Sequence, residues 1–183
     1  RQRVFSILED IRKKGDEALV KYCKNLDGFT GNIRITANDI KKAYDSLDEQ
    51  VVKDIKFAAD RIKKFAEIQK KSIVEVKEEV SPGVTLGHRI IPVHSCGAYI
   101  PGGRYPLPSS ALMSIIPAKV ANVSRIVACS PPDKETGSIN AATLVAMDIA
   151  GADEIYCMGG AHAIGALAFG TETIRPVDMI VGP

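Results

Sequence analysis

Several features that mark common classes of protein are missing from this sequence. It has only four cysteines and no Cys-x-x-Cys pair, which excludes a zinc knuckle and a disulfide-stabilised scaffold. Its net charge is only +2, so we expect neither nucleic acid nor a membrane surface as a partner. No apolar run approaches the ~20 residues of a membrane span, and the first residues lack the apolar core of a signal peptide. Together these absences predict a cytoplasmic protein.

Charged residues and turn residues divide the chain near residue 80. Of the first 80 residues 33 are charged, whereas the following 103 carry only 13 charges. The second part holds all ten prolines and 12 of the 15 glycines. The first part is therefore typical of amphipathic helices in contact with solvent, and the second of a buried α/β unit with many turns.

The spacing of apolar residues predicts the order of the elements. In the first part it indicates helices, interrupted at Gly15, and then a β-hairpin that turns at residues 81–83. In the second part short apolar strands alternate with helices, with strands expected at 95–100, 125–129, 154–158 and 178–181. Such alternation predicts an α/β fold whose parallel sheet has helices on both faces.

One strand is predicted to end abruptly after Tyr99. Two glycines and three prolines follow within residues 101–108, and they place Tyr99 at a strand end beside bare backbone. This arrangement suits a flat ligand at the mouth of an α/β sheet.

A second candidate site is the strand–turn–helix that contains Gly159 and Gly160. The free N–H groups and positive dipole end of that helix suit a dinucleotide phosphate. The G-x-G-x-x-G fingerprint is absent, however, and close packing of the helix on the strand explains the two glycines equally well. His162, in the first helical turn, is expected to face the space above the sheet, as a ligand contact or as an ordinary structural or exposed histidine.

No reactive centre accompanies these candidate residues. His88 and His94 have no carboxylate or cysteine near them that completes a metal set. Glu172 and Asp178 have no recognisable acid–base partner. We therefore predict that the chain contains neither catalytic residues nor metal ligands.

Four stretches of the sequence resemble the histidinol dehydrogenase family, whose members are zinc- and NAD-dependent enzymes that complete histidine biosynthesis. The stretches are residues 11–19, 99–103, 117–132 and 159–183, and their order and spacing match the family over nearly the whole chain. The resemblance implies two segments. The first, residues 1–94, would be an N-terminal helical part with a β-hairpin, and the second, residues 95–183, an incomplete Rossmann-like domain that binds NAD.

The resemblance also explains why no reactive centre is present. Family members are more than twice this long, and their zinc ligands and catalytic Glu-His pair follow the point at which this sequence stops. We therefore expect a fragment that is inactive alone and that belongs to a homodimer. Among the family's NAD contacts, Tyr99 matches a tyrosine and His162 stands where Gln is usual, so the predicted cofactor-binding residues are Tyr99, His162, Gly159 and Gly160.

Four departures from the family pattern leave the function open, the first being His162 in place of the usual Gln. Arg104 and Tyr105 replace small residues that usually follow Pro-Gly-Gly, and Asn122 replaces a frequent Gly. The first candidate function is oxidation of L-histidinol to L-histidine in two hydride transfers to NAD. The second is oxidation of another small alcohol by a paralogous enzyme. The third is a nucleotide-binding or interaction module without catalysis.

Overall fold

The computed structural model describes residues 2–102 and 105–182, in which an α/β fold is present. The elements of this part are α1 (Gln2–Tyr22), α2 (Ala37–Asp45), α3 (Glu49–Lys71), β1 (Val76–Ser81), β2 (Val84–His88), β3 (Ser95–Tyr99), α4 (Pro108–Val120), β4 (Arg125–Ser130), α5 (Ala141–Ala150), β5 (Glu154–Cys157), α6 (Gly160–Phe169) and β6 (Met179–Val181). A π-helical turn, Cys23–Asp27, continues α1. The predicted α/β class is confirmed. Within these residues no helix has both the length and the apolar character that a membrane crossing requires.

Four of the strands form a parallel sheet in the order β5-β4-β3-β6. In its register Tyr99 of β3 lies opposite Cys129 of β4, and Cys129 lies opposite Tyr156 of β5. The carboxyl ends of these three strands therefore lie side by side. The other two strands form an antiparallel hairpin, in which β2 ends at His88.

Alternate residues of β4 face two separate cores, one on each side of the sheet. Ile126 and Ala128 belong to a core that also includes Leu144 of α5. Val127 and Cys129 belong to a second core, built with residues of α1 and α6. Because β4 is buried along its whole length, the prediction of helices on both faces is confirmed.

The helices of the first 94 residues pack directly on the α/β unit. Helix α1 contacts α6, and α3 contacts α4. Residues 33–35 run antiparallel to the outer edge of β5, where the Ile35 N–H donates to the Ile155 carbonyl at 2.9 Å and the Cys157 N–H donates to the Ile33 carbonyl at 2.7 Å. The division into segments 1–94 and 95–183 stays a prediction, although the sheet does begin at Ser95.

Local sequence signals account for several helix ends. The Thr36 side chain and the Asp39 carboxylate cap each other's backbone N–H groups at the start of α2, as a capping box does. Asn122, where the family often has Gly, adopts a left-handed φ of 65° just after α4. A proline inside a helix usually kinks or breaks it, yet α4 continues past Pro117 to Val120. The carbonyl that loses its partner to Pro117 is that of Met113, a residue 57% exposed, so water can replace the missing hydrogen bond.

Candidate functional site

The two glycine-containing stretches identified in the sequence meet at the carboxyl edge of the sheet. Tyr99 is the last residue of β3, and β5 leads into the turn Gly159–Gly160 that opens α6. The Tyr99 hydroxyl accepts a hydrogen bond from the Gly160 N–H at 3.1 Å. This edge is where open parallel sheets usually bind ligands.

Each glycine of the turn has its own structural cause. A Cβ on Gly159 would lie 2.5 Å from the Cβ of Pro131, which is far inside the contact distance. Gly160 has a φ of 56°, a left-handed conformation that residues with side chains adopt at a cost. Close packing therefore explains Gly159, whereas the sharp change of direction into the helix explains Gly160.

The amino end of α6 is partly occupied by groups of the chain itself. The carboxylate of Asp27, at the end of the π-helical turn, accepts a hydrogen bond from the Gly159 N–H at 3.0 Å. The Gly160 N–H is used by Tyr99. No described residue accepts a hydrogen bond from the N–H groups of Ala161 or His162. The end of the helix thus keeps two donors and its positive dipole end for an anionic group.

His162 lies inside the molecule rather than in the open space above the sheet. Its ring is fully buried, and its Nε2 lies 3.0 Å from Oδ2 of Asp27. The ring of Tyr22 stacks on it with the centroids 6.2 Å apart. The predicted orientation of His162 is therefore wrong, because the ring contacts Asp27 and Tyr22 in the interior. Its predicted role as a cofactor contact stays a prediction.

The second nitrogen of His162 is left without a partner. Nδ1 is buried, and no described residue forms a hydrogen bond with it. A Cβ on Gly160 would lie 3.6 Å from this nitrogen, so the missing side chain leaves room beside it. An unpaired buried polar atom is unusual in a folded protein. Together with the two unused N–H groups of α6, it makes this edge a suitable place for a dinucleotide.

Cys23, Asp27 and His162 bring three possible metal-ligand atoms within 4.8 Å of one another in the described part of the chain. Burial, with a smaller contribution from the charge of Asp27, raises the pKa of Cys23 to about 12. The thiol is therefore protonated at neutral pH, and Oδ2 of Asp27 already accepts two hydrogen bonds. A metal ion at this group would therefore have to displace the thiol proton and the two contacts of Asp27 Oδ2.

The carboxyl edge of the sheet is shallow. A cleft of about 20 Å³ lies there between Gly102, Pro131 and Asn140. A much larger open cavity, about 810 Å³, lies elsewhere, between α3 and the ends of α4 and α5. A dinucleotide at the carboxyl edge would consequently rest on an open surface, since this part of the chain does not enclose it.

The remaining candidate residues have structural partners or lie at the rim. Tyr105 is 76% exposed beside the shallow cleft, whereas Gly103 and Arg104 lie outside the described residues. Glu172 accepts a hydrogen bond from the Asp16 N–H, and Asp178 accepts hydrogen bonds from the N–H and hydroxyl groups of Ser95. Asp27 was not predicted from the sequence. It follows Leu26 at the end of a helical pattern, which is a signal for a helix end but not for a site.

Comparison with known proteins agrees with this geometry. The family model described as histidinol dehydrogenase matches residues 1–183. The chain belongs to the histidinol dehydrogenase family. It is 49% identical, over 183 residues, to a "Histidinol dehydrogenase homolog" of Shouchella clausii, covering all of this chain and 43% of that protein. It is 48% identical, over 181 residues, to the histidinol dehydrogenase of Methanococcus maripaludis, covering 98% of this chain and 42% of that protein.

A solved structure of the family has the same fold. The crystal structure of histidinol dehydrogenase from Elizabethkingia anophelis matches with a TM-score of 0.91 and 39% sequence identity. The match covers all of this chain and 42% of the crystallised chain. The chain therefore spans less than half the length of the relatives it matches, as the resemblance in the sequence predicted.

Proposed function

We propose that this chain is the dinucleotide-binding part of a cytoplasmic enzyme that oxidises L-histidinol to L-histidine. The observation that carries the proposal is the meeting of Tyr99 with the Gly159–Gly160 turn at the carboxyl edge of a parallel sheet. Membership of the histidinol dehydrogenase family supports the choice of substrate.

In this proposal NAD accepts a hydride in each of two successive steps, first from the alcohol and then from the hydrated aldehyde. The first step releases one proton. The second releases two, one with the hydride transfer and one by ionisation of the carboxylic acid, and the water that hydrates the aldehyde supplies the second carboxylate oxygen. The unused N–H groups at the start of α6 would hold a phosphate of NAD. Tyr99 would fix the turn that presents them. Zinc and the acid–base groups would come from polypeptide outside these 183 residues.

The decisive experiment uses the full-length protein supplied with zinc, NAD and a limiting amount of L-histidinol. We expect two molecules of NADH for each L-histidinol consumed, with L-histidine as the product. The separate 183-residue chain serves as the control and should form no NADH. It should also bind NAD weakly at best, because the shallow edge leaves the cofactor largely in solvent. Absence of NADH formation by the full-length protein would contradict the proposal.

A second candidate is oxidation of a different small alcohol by the same chemistry. It is favoured by Tyr105, which stands exposed where the family usually has a small residue, and by the relative whose name is only "homolog". A panel of small alcohols decides between the two. Formation of NADH from another alcohol, with no reaction of L-histidinol, would favour this candidate.

The proposed enzyme is a homodimer. Strand β6 lies at one edge of the described sheet, and Met179 on that strand is 48% exposed, as is typical of a surface that another strand or subunit covers. The molar mass of the full-length protein in solution, measured by light scattering, tests this proposal. A monomer at all concentrations would contradict it.

A further inference from the structure

Asp27 joins two elements that the sequence keeps far apart. Its Oδ2 accepts one hydrogen bond from the Gly159 N–H and lies 3.0 Å from Nε2 of His162. The side chains of His162 and Asp27 are 1% and 11% exposed. A carboxylate oxygen that accepts from both groups determines the state of the ring, because an ionised carboxylate has no proton to donate. Nε2 of His162 must therefore carry a hydrogen.

The position of that hydrogen decides what the other nitrogen can do. In a neutral imidazole with Nε2–H, the Nδ1 atom has a lone pair and accepts hydrogen bonds. Nδ1 is the buried atom for which no described residue provides a partner. It lies beside Gly160, which is exposed and has no side chain to fill the space. The acceptor thus borders the amino end of α6, where a ligand would be held.

We propose that Asp27 is a positioning residue of the dinucleotide site. It keeps His162 in the Nε2–H form, so that Nδ1 accepts a hydrogen bond from a sugar hydroxyl of the bound dinucleotide. The inference rests on the proposed function. Beyond that function, the inference states that Asp27, which follows α1, determines whether His162 Nδ1 donates or accepts a hydrogen bond at the dinucleotide site. Cys23 and Tyr22 also border the ring, but the protonated thiol and the stacked ring do not compete for Nδ1.

The test compares Asp27→Ala with Asp27→Asn in the full-length protein. Asp27→Ala removes the acceptor, whereas Asp27→Asn keeps an amide oxygen that can accept from both donors. We expect Asp27→Ala to raise the KM for NAD about tenfold, as the loss of a well-aligned hydrogen bond implies, with kcat and the KM for L-histidinol nearly unchanged. Asp27→Asn should restore most of the affinity. Asp148→Asn is the matched control, since Asp148 accepts a bond from Tyr44 between two other helices.

A double-mutant cycle with His162→Gln separates this role from a merely structural one. If Asp27 acts through His162, the effect of Asp27→Ala on the KM for NAD should shrink at least about fivefold in the His162→Gln background. If Asp27 only stabilises the turn, its effect will be the same in both backgrounds, and the inference is overturned. This comparison also remains valid where Asp27→Ala lowers stability, because both backgrounds then share that loss.

Nitrogen-15 spectra of the histidine rings provide an independent measurement. The Nδ1 signal of His162, assigned by its disappearance in His162→Gln, should be that of an unprotonated nitrogen and should shift when NAD binds. A protonated Nδ1 in the free protein would overturn the inference. If the wild type binds NAD and Asp27→Ala binds it with the same affinity, the inference is overturned but the proposed function is not. No binding of NAD by the wild type would overturn the proposed function as well.

Discussion

The carboxylate of Glu172 accepts a hydrogen bond from the N–H of Asp16 at 2.6 Å, although 156 positions separate the two residues. Gly15, with a φ of 51°, breaks α1 and leaves the Asp16 N–H at the start of its second half. Glu172 therefore acts as a helix cap supplied from a distant part of the chain. The hydrogen bond from Asp16 lowers the pKa of Glu172. Asp16 and Glu172, which lie in two of the stretches that resemble the family, thus help to dock α1.

Replacing Gly15 should cost more stability than replacing another glycine with positive φ. A Cβ on Gly15 would collide with the Glu172 carboxylate, whereas Gly83 has a φ of 79° and nothing within 4 Å of its would-be Cβ. We expect Gly83→Ala to lower the free energy of unfolding by about 1 kcal/mol through its backbone conformation alone. Gly15→Ala should lower it by about 2 kcal/mol, because the exposed Glu172 side chain must also move away from the new Cβ and lose its hydrogen bond to Asp16. Urea unfolding measures both variants. Equal losses would show that the contact with Glu172 contributes nothing.

The hydroxyl of Tyr99 should matter for affinity toward NAD. Tyr99→Phe removes the acceptor of the Gly160 N–H and frees the turn that opens α6. We expect the Kd for NAD of the full-length protein to rise about fivefold, the effect of one hydrogen bond. Tyr105→Phe, at the exposed rim, is the control and should leave the Kd unchanged. Titration calorimetry measures both variants, and an unchanged Kd in Tyr99→Phe would exclude a role for its hydroxyl.

Glu154 should contribute to the loss of stability in acid. Burial raises the pKa of this carboxyl, but hydrogen bonds from Arg125 and Tyr156 outweigh burial, so the net pKa is lower than the usual 4.5. The Arg125 Nε lies 2.6 Å from Glu154 Oε1, and both side chains are nearly buried. A lowered pKa means that the stabilisation is complete above pH 4.5 and is lost as the pH falls through the lower, folded-state pKa.

The variant Glu154→Gln should therefore lose stability at neutral pH and show a shallower decline of stability below pH 4.5. Glu135→Gln, at an exposed position, should change neither quantity. Urea unfolding at a series of pH values provides the measurement. Parallel pH profiles for the wild type and Glu154→Gln would contradict the assignment.

The four cysteines of the chain should resist alkylation in the native protein. All four are buried, and burial raises the pKa of Cys157 to about 12, further helped by the charge of Asp27. The reactive thiolate is therefore scarce at mildly alkaline pH, and the reagent has no access. Iodoacetamide labelling followed by peptide mass spectrometry should modify them only after unfolding. Ser124→Cys, at an exposed site, verifies that the reagent is active. Rapid native labelling of Cys23 would contradict its burial.

Local patterns in the sequence were enough to predict most of the fold. The strands at 95–99, 125–130, 154–157 and 179–181 lie close to their predicted ranges, because short apolar runs between turn signals have few alternatives. The capping box of Thr36 and Asp39 is likewise a local signal, since its partners lie within three residues of each other.

Contacts between distant positions account for what the sequence did not predict. Asp27 and His162 are 135 positions apart, and neither residue has a neighbour in the sequence that indicates the other. Phe65 lies at helical spacing from Ala58 and Ile62 of α3, which pack against the core, yet it is 60% exposed. Helical spacing indicates which residues share a face, but it does not indicate whether another element covers that face.

The antiparallel run of residues 33–35 along β5 has a consequence for how the sheet can be extended. Those residues already use hydrogen-bonding groups of β5 at its outer edge, whereas β6 pairs only with β3 among the residues described. Strand β6 therefore offers one side with no paired strand among the described residues. A further strand added at Met179–Val181 would extend the parallel sheet without displacing any contact of residues 33–35.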